Sequence, residues 1–179
     1  MNILCDVALL LITPGAEPLV GSWRADHDWA ATSGIPAHVT IRFPFLPPAE
    51  WEAAREGSGL ARFLPLPVTL ARLEDRPGAL VIVVAPDVGL RRMTEAAGTA
   101  WPHLPPHRDN RSDLAYHVTV VRTADASVRA AAWEAIEPHL PLEVQGTELW
   151  AADGSPERGA VHTVLTAPSA RRQLPERPA

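Results

Sequence analysis

Two short stretches of the sequence carry the same polar pair inside an apolar run: Ala37-His38-Val39-Thr40-Ile41-Arg42-Phe43 and Tyr116-His117-Val118-Thr119-Val120-Val121-Arg122. Imidazole takes up and gives up a proton near neutral pH, and a hydroxyl can donate to an anion. With 7 His and 11 Thr in 179 residues, chance supplies about 0.4 His-x-Thr triplets. Two that share the central Val, lie in strand-like runs and stand 79 positions apart form a far more specific signal. In an extended strand alternate side chains share a face, so His38 and Thr40 point one way and Val39 and Ile41 the other. The second stretch repeats the pattern, with His117 and Thr119 opposite Val118 and Val120.

If the two halves are related by an approximate two-fold axis, the polar faces converge and place two imidazoles and two hydroxyls around one anion. That set suits phosphodiester chemistry without a metal. A neutral imidazole takes the proton of an attacking water or hydroxyl, an imidazolium protonates the leaving oxygen, and hydroxyls and a guanidinium hold the non-bridging oxygens. Arg42, four positions after His38, is aimed at the same face by alternation and is a phosphate-binding candidate. Arg122, five positions after His117, alternates to the other face, so a strand end or a bulge must bring it round.

The pair Ala-His-Val-Thr-Ile-Arg-Phe and Tyr-His-Val-Thr-Val-Val-Arg, with its spacing, resembles the two His-x-Thr motifs of the 2H phosphoesterase superfamily, closest to its 2'-5' RNA ligase-like branch. In that family an aromatic residue typically stands at the fifth position after the first His and Arg at the corresponding place after the second; here these are Phe43 and Arg122. The resemblance implies that His38, Thr40, His117 and Thr119 are catalytic and that Arg122 helps hold substrate. It implies an α+β, two-lobed, pseudo-two-fold fold with antiparallel sheets lining a central cleft and helices outside. The implied activity is metal-independent cleavage of a 2',3'-cyclic phosphate, or a related cyclic or 2'-5' phosphodiester, on a nucleotide or short RNA. The alternatives are ATP-independent 2'-5' RNA ligation and non-catalytic binding of RNA ends or signalling nucleotides. No cofactor and no metal are expected.

The elements that must position these residues follow from the chain's punctuation. Residues 3–12 predict a buried strand, 17–31 a helix, 37–45 the first His-Val-Thr strand and 48–63 a short helix weakened by Gly57 and Gly59. Residues 67–74 and 79–85 predict a hairpin around a four-residue turn, Asp75-Arg76-Pro77-Gly78, and 87–100 a helix. The second His-Val-Thr strand spans 116–122; a helix over 128–138, capped by Ser127, and strands at 142–151 and 159–166 complete the order. Each half supplies a His-Val-Thr strand, a helix and a hairpin-like pair, which predicts a quasi-repeat within one domain, 1–167, and a mobile tail from 168 to 179.

Composition narrows the chemistry. All 16 basic residues are Arg, so a lysyl-nucleotide intermediate, a P-loop lysine and a Schiff base are excluded. A net charge of −5 argues against duplex DNA, which needs a basic surface, while leaving room for a small Arg-lined phosphate site. The single Cys5 permits no intrachain disulfide and no Cys-based zinc site, and the apolar run near the start is too short to span a bilayer. With no signal-peptide pattern in the first residues, a cytoplasmic monomer that does not engage membranes is expected.

Weaker signals lie in Trp101 to Leu114, a Pro-, His- and Arg-rich stretch that predicts a loop. His103 and His107 have helical metal-ligand spacing, but Pro105 and Pro106 between them exclude a regular helix. With Arg108 and Arg111 the loop could cover a phosphate. Trp101, Tyr116 and Trp150 are base-stacking candidates, although such residues more often pack in a core, and His162 is expected to be structural.

Overall fold

The computed structural model describes residues 7–105, 115–153 and 162–166. In chain order the elements are β1 Val7–Ile12, α1 Glu17–His27, α2 Trp29–Thr32, β2 His38–Arg42, α3 Pro48–Ala54, β3 Leu66–Arg76, β4 Ala79–Val84, α4 Val88–Ala100, β5 His117–Arg122, α5 Ala126–Ile136, β6 Leu142–Gly146, β7 Glu148–Asp153 and β8 His162–Thr166. The strands form one eight-stranded sheet in the order β6-β3-β4-β5-β2-β1-β7-β8. Every neighbouring pair is antiparallel. The two His-Val-Thr strands, β2 and β5, therefore lie side by side at the centre, with four strands to each side of their junction. Among the described residues no helix is long and apolar enough to cross a membrane.

One row of aliphatic side chains crosses seven strands: Leu165, Leu149, Leu11, Val39, Val118, Ile82 and Leu73, each opposite the next. Opposed residues share a face, so this row defines the core face, and all seven belong to the main hydrophobic cluster. Helices cover that face through Val20 of α1, Trp51 of α3, Leu90, Met93 and Ala97 of α4, and Ala132 and Ile136 of α5. Trp51, Phe45 and Trp101 meet edge to face there, with centroids 5.2 to 5.8 Å apart, so Trp101 is a core residue and does not stack a base.

The lobes are not the two sequence halves. The hairpin β3–β4 from the first half pairs with β5, and β7–β8 from the second half pairs with β1, so each half gives its hairpin to the lobe that holds the other half's His-Val-Thr strand. The strand expected over 142–151 is two strands, parted at Thr147, that stand at positions one and seven of the sheet order. Curling of the sheet reconciles that order with a one-residue link. The Thr147 amide donates to the Ile12 carbonyl at 3.0 Å, and a Cβ at Gly146 would lie 2.5 Å from the Leu11 side chain, so β6 closes against β1 where only glycine fits.

Four smaller expectations change. The helix over 17–31 breaks at Asp28, which is extended at φ −128° and caps α2 by accepting from the Ala30 amide. Beyond Ala54 the helix over 48–63 gives way to two 3₁₀ turns parted by Gly59 at φ 70°. The β3–β4 ladder continues to the pair Arg76–Ala79, leaving a two-residue turn of Pro77 and Gly78, with Gly78 at φ 76°. Asp125, not Ser127, caps α5: its carboxylate accepts from the Ser127 amide at 2.8 Å. The tail from 168 lies outside the described residues.

Candidate active site

Val39 faces Val118 across the β2–β5 junction. One step to either side of that pair in an antiparallel ladder, His38 stands opposite Thr119 and Thr40 opposite His117. Both pairs project from the face opposite the aliphatic row, here termed the histidine face. The pseudo-two-fold axis passes between the valines and exchanges the two motifs. His38, Thr40 and His117 are half-buried, and Thr119 is buried.

Each imidazole is anchored in the same way. His38 Nδ1 lies 2.7 Å from the Pro36 carbonyl and His117 Nδ1 3.0 Å from the Ala115 carbonyl, two residues upstream in each case. A carbonyl only accepts, so each contact places a proton on Nδ1 and leaves the Nε2 lone pair for a ligand. His117 has a second arrangement, because Arg76 Nη1 lies 3.2 Å from the same Nδ1 and can donate to it when the proton sits on Nε2.

A bulge follows each Thr. Leu10 pairs with Thr40 but Leu9 with Arg42, so Ile41 is an extra residue; Val81 pairs with Thr119 but Leu80 with Val121, so Val120 is another. The extra residue shifts the alternation by one. Arg122 thereby returns to the histidine face, as expected of a bulge: its Nη2 lies 3.4 Å from Thr119 Oγ1. Phe43 holds the matching place after the β2 bulge and is half-buried.

Two candidate substrate-binding residues lie away from the histidine face. Arg42 shares the core face with Leu9, is 4% exposed, and donates to the Leu104 carbonyl beside α4. Alternation fails for it because Ile41 is inserted. Tyr116 packs against the main core, and its hydroxyl hydrogen-bonds Thr94 Oγ1 of α4 at 2.7 Å, so it does not reach the histidine face. Trp150 is on that face, opposite Leu10, with its indole N–H donating to Glu148 at 2.8 Å. His103 is exposed; His107, Arg108 and Arg111 lie outside the described residues, and His162 begins β8. Among the described residues no three His, Cys, Asp or Glu side chains are grouped to hold a metal ion.

Sequence reading missed five residues around the histidines, among them Arg76, which lies beside His117. Asp28, its side chain wholly buried, accepts from Arg122 Nε at 3.1 Å and from Arg24 at 3.1 to 3.2 Å. Arg24 in turn donates to the Ile35 carbonyl at 3.0 Å and to Glu17, and Glu17 accepts from the Ala37 amide, so the segment leading into His38 is tied to the same network. On the other lobe Glu74 binds Arg76 Nε at 2.7 Å. The signal for Asp28 was available: Asp two residues before Ala30 is an N-cap arrangement inside what looked like one helix.

Burial, reinforced by the Arg24 guanidinium, pushes His38 down to about 4; burial and then Arg76 and Arg122 also lower His117. The lowered value ties stability to pH through His38. The unfolded chain protonates it near 6.5 and the folded chain only near 4, so its contribution is present above about pH 6.5 and is lost as pH falls through about 4. The full window is worth about 3 kcal/mol. Urea midpoints at pH 7 and 4.5 should therefore fall less for His38→Gln than for wild type; equal losses would refute the assignment.

A family profile decides what this geometry belongs to: that of the 2'-5' RNA ligase superfamily matches residues 13–155. The chain is a member of the 2'-5' RNA ligase superfamily. No curated protein matches the sequence. Among solved structures, E. coli LigT complexed with 3'-AMP superposes with a TM-score of 0.57 at 19% identity, covering 90% of this chain and 95% of that one. E. coli LigT complexed with NADP+ gives 0.53 at 17%, with the same coverage. A further structure described as a phosphoesterase gives 0.52 at 18%, covering 89% and 95%. At these identities the likeness is one of fold, and it is the curled antiparallel sheet with helices expected of a 2H phosphoesterase.

Proposed function

We propose that this protein is a metal-independent phosphoesterase that opens a 2',3'-cyclic phosphate, or a related cyclic or 2'-5' phosphodiester, on a nucleotide or short RNA. The observation that carries the reading is the Val39–Val118 pair, which brings both His-x-Thr motifs to one face in antiparallel register. In the reaction a water oxygen bonds to phosphorus while one imidazole Nε2 takes its proton. The bond from phosphorus to the 2' or 3' oxygen breaks, and that oxygen receives a proton from the other imidazole. Thr40, Thr119 and Arg122 hold the non-bridging oxygens as charge builds on them. Membership in the superfamily supports an enzyme of this class, and the nucleotides in the LigT structures support a nucleotide as ligand.

Ligation would be the same exchange with a ribose hydroxyl in place of water. It would need no ATP, since a chain without lysine cannot form a lysyl-adenylate. The single Cys5 suits a reducing cytoplasm, where the protein is expected to act as a monomer.

The test is turnover of the four 2',3'-cyclic nucleotides in the presence of EDTA. Ring opening to a single 2'- or 3'-phosphate, undiminished by the chelator, is the expected result. Activity that vanishes with EDTA and returns with a divalent cation would overturn the metal-independent mechanism.

A further inference from the structure

The pseudo-two-fold axis matches the positions of the two lobes but not their chemistry. On the histidine face of the β3–β4–β5 lobe, His117 is followed outward by Val83 and Arg72, Thr119 by Val81 and Glu74, and Arg122 by Ala79 and Arg76. On the other lobe His38 is followed by Ile12 and Glu148, and Thr40 by Leu10 and Trp150. The axis thus sets Arg72 against Glu148, Glu74 against Trp150 and Arg122 against Phe43. One wall carries three guanidinium groups with one carboxylate, and the other carries two aromatic rings with one carboxylate.

Glu74 sits between two cations: Oε1 accepts from Arg76 Nε at 2.7 Å and Oε2 from Arg72 Nη1 at 3.4 Å. Two guanidiniums around one carboxylate leave a net positive charge on the outer part of this wall. The Arg72 side chain is 63% exposed and that of Arg76 22%, so the charge faces solvent beside the histidines. Arg72 lies two strands out from His117, about 10 Å at ordinary strand spacing, a gap that an extended arginine side chain is long enough to cover in large part. Arg129, which binds Asp75 at 2.7 Å, belongs to the opposite face of the same hairpin, because Asp75 pairs with core-facing Leu80.

We propose that Arg72 and Arg76 form a second anion subsite, which takes a phosphate one ribose away from the reacting one, on the 5' side of the nucleotide whose 2',3' edge meets the histidines. This rests on the phosphoesterase reading of the site. It gives the ligand a direction, with its 5' phosphate along the arginine wall and its base toward Phe43 and Trp150. The same chemistry could come from the 5'-phosphate of a free nucleotide or from the internucleotide phosphate of an RNA end.

The experiment measures Kd by calorimetry at one ionic strength for adenosine 2'-monophosphate, adenosine 2',5'-bisphosphate and an adenylyl dinucleotide ending in a 2'-phosphate. Wild type is compared with Arg72→Ala, Arg76→Ala and, as a control on the far face, Arg129→Ala. A charge-assisted phosphate contact predicts that the extra phosphate tightens binding about tenfold in wild type and in Arg129→Ala. In Arg72→Ala and Arg76→Ala that preference should fall to about twofold or less. A larger gain for the dinucleotide than for the bisphosphate identifies an RNA end as the source, and the reverse a free nucleotide. Equal affinities for mono- and bisphosphate in wild type, or a preference that survives Arg72→Ala, would overturn the subsite while leaving the phosphoesterase reading intact. If none of the three ligands binds, both fall together.

Discussion

Alanine in place of either His38 or His117 is expected to lower kcat/KM for a 2',3'-cyclic nucleotide by about 100- to 10,000-fold, the range for losing one positioned acid or base. The double variant should be little worse than the weaker single one, because each imidazole works only while the other holds the opposite protonation state. Both rings are half-buried and anchored through Nδ1 to backbone carbonyls, so their removal leaves the core row of Val39 and Val118 untouched and the fold intact. The pH dependence separates this from a merely structural role. Burial and the neighbouring arginines hold both imidazoles below their ordinary value in the free protein. The kcat/KM profile, which reports the free protein, is therefore expected to peak on the acid side of 6.5. A bound phosphate offsets the positive charge and should move the kcat profile upward. A variant lacking one histidine that retains activity within tenfold of wild type, or a flat pH profile, would remove that histidine from the chemistry.

Much of this site was legible because strand alternation is a local rule. His38 with Thr40, and His117 with Thr119, needed only period two and an apolar opposite face to be placed together. The bulges were less accessible. Val120-Val121 hints at one, since two adjacent aliphatic residues break the alternation, whereas Ile41-Arg42 gives no such hint, and Arg42 was therefore aimed at the wrong face. Arg76 looked like a turn residue because Asp-Arg-Pro-Gly is a turn signal, yet the ladder runs to Arg76 itself and only Pro77 and Gly78 turn. The exchange of hairpins between lobes depends on pairings across most of the chain. Gly146 alone marks the point where a run over 142–151 passes from one lobe to the other, and a single glycine in a strand run does not say which strands it parts.

Asp28→Asn is expected to cost about 3 kcal/mol of stability and to lower kcat/KM by about 10- to 100-fold, although Asp28 touches neither histidine. The carboxylate is wholly buried and answers two guanidiniums, Arg24 from its own lobe and Arg122 from the other. Arg122 is gripped at Nε, which leaves a terminal nitrogen beside Thr119 and available to the phosphate of the proposed reaction. Arg24 holds the Ile35 carbonyl, one residue before the Pro36 carbonyl that anchors His38. One carboxylate therefore fixes the arginine that ends one motif and the backbone support of the histidine in the other. Asparagine keeps the shape but not the charge. Its single carbonyl oxygen can satisfy only one side, and its amide must face a cation on the other. Because a destabilised variant loses activity by unfolding alone, the decisive measurement is a double-mutant cycle with Arg122→Ala, whose side chain is 43% exposed in the wild type and leaves no large cavity. If Asp28 acts by aiming Arg122, adding Asp28→Asn to Arg122→Ala should lower kcat/KM by less than about threefold, assayed where both variants are folded. Fully multiplicative losses would mean that Asp28 serves the fold and the His38 segment, with no part in orienting Arg122.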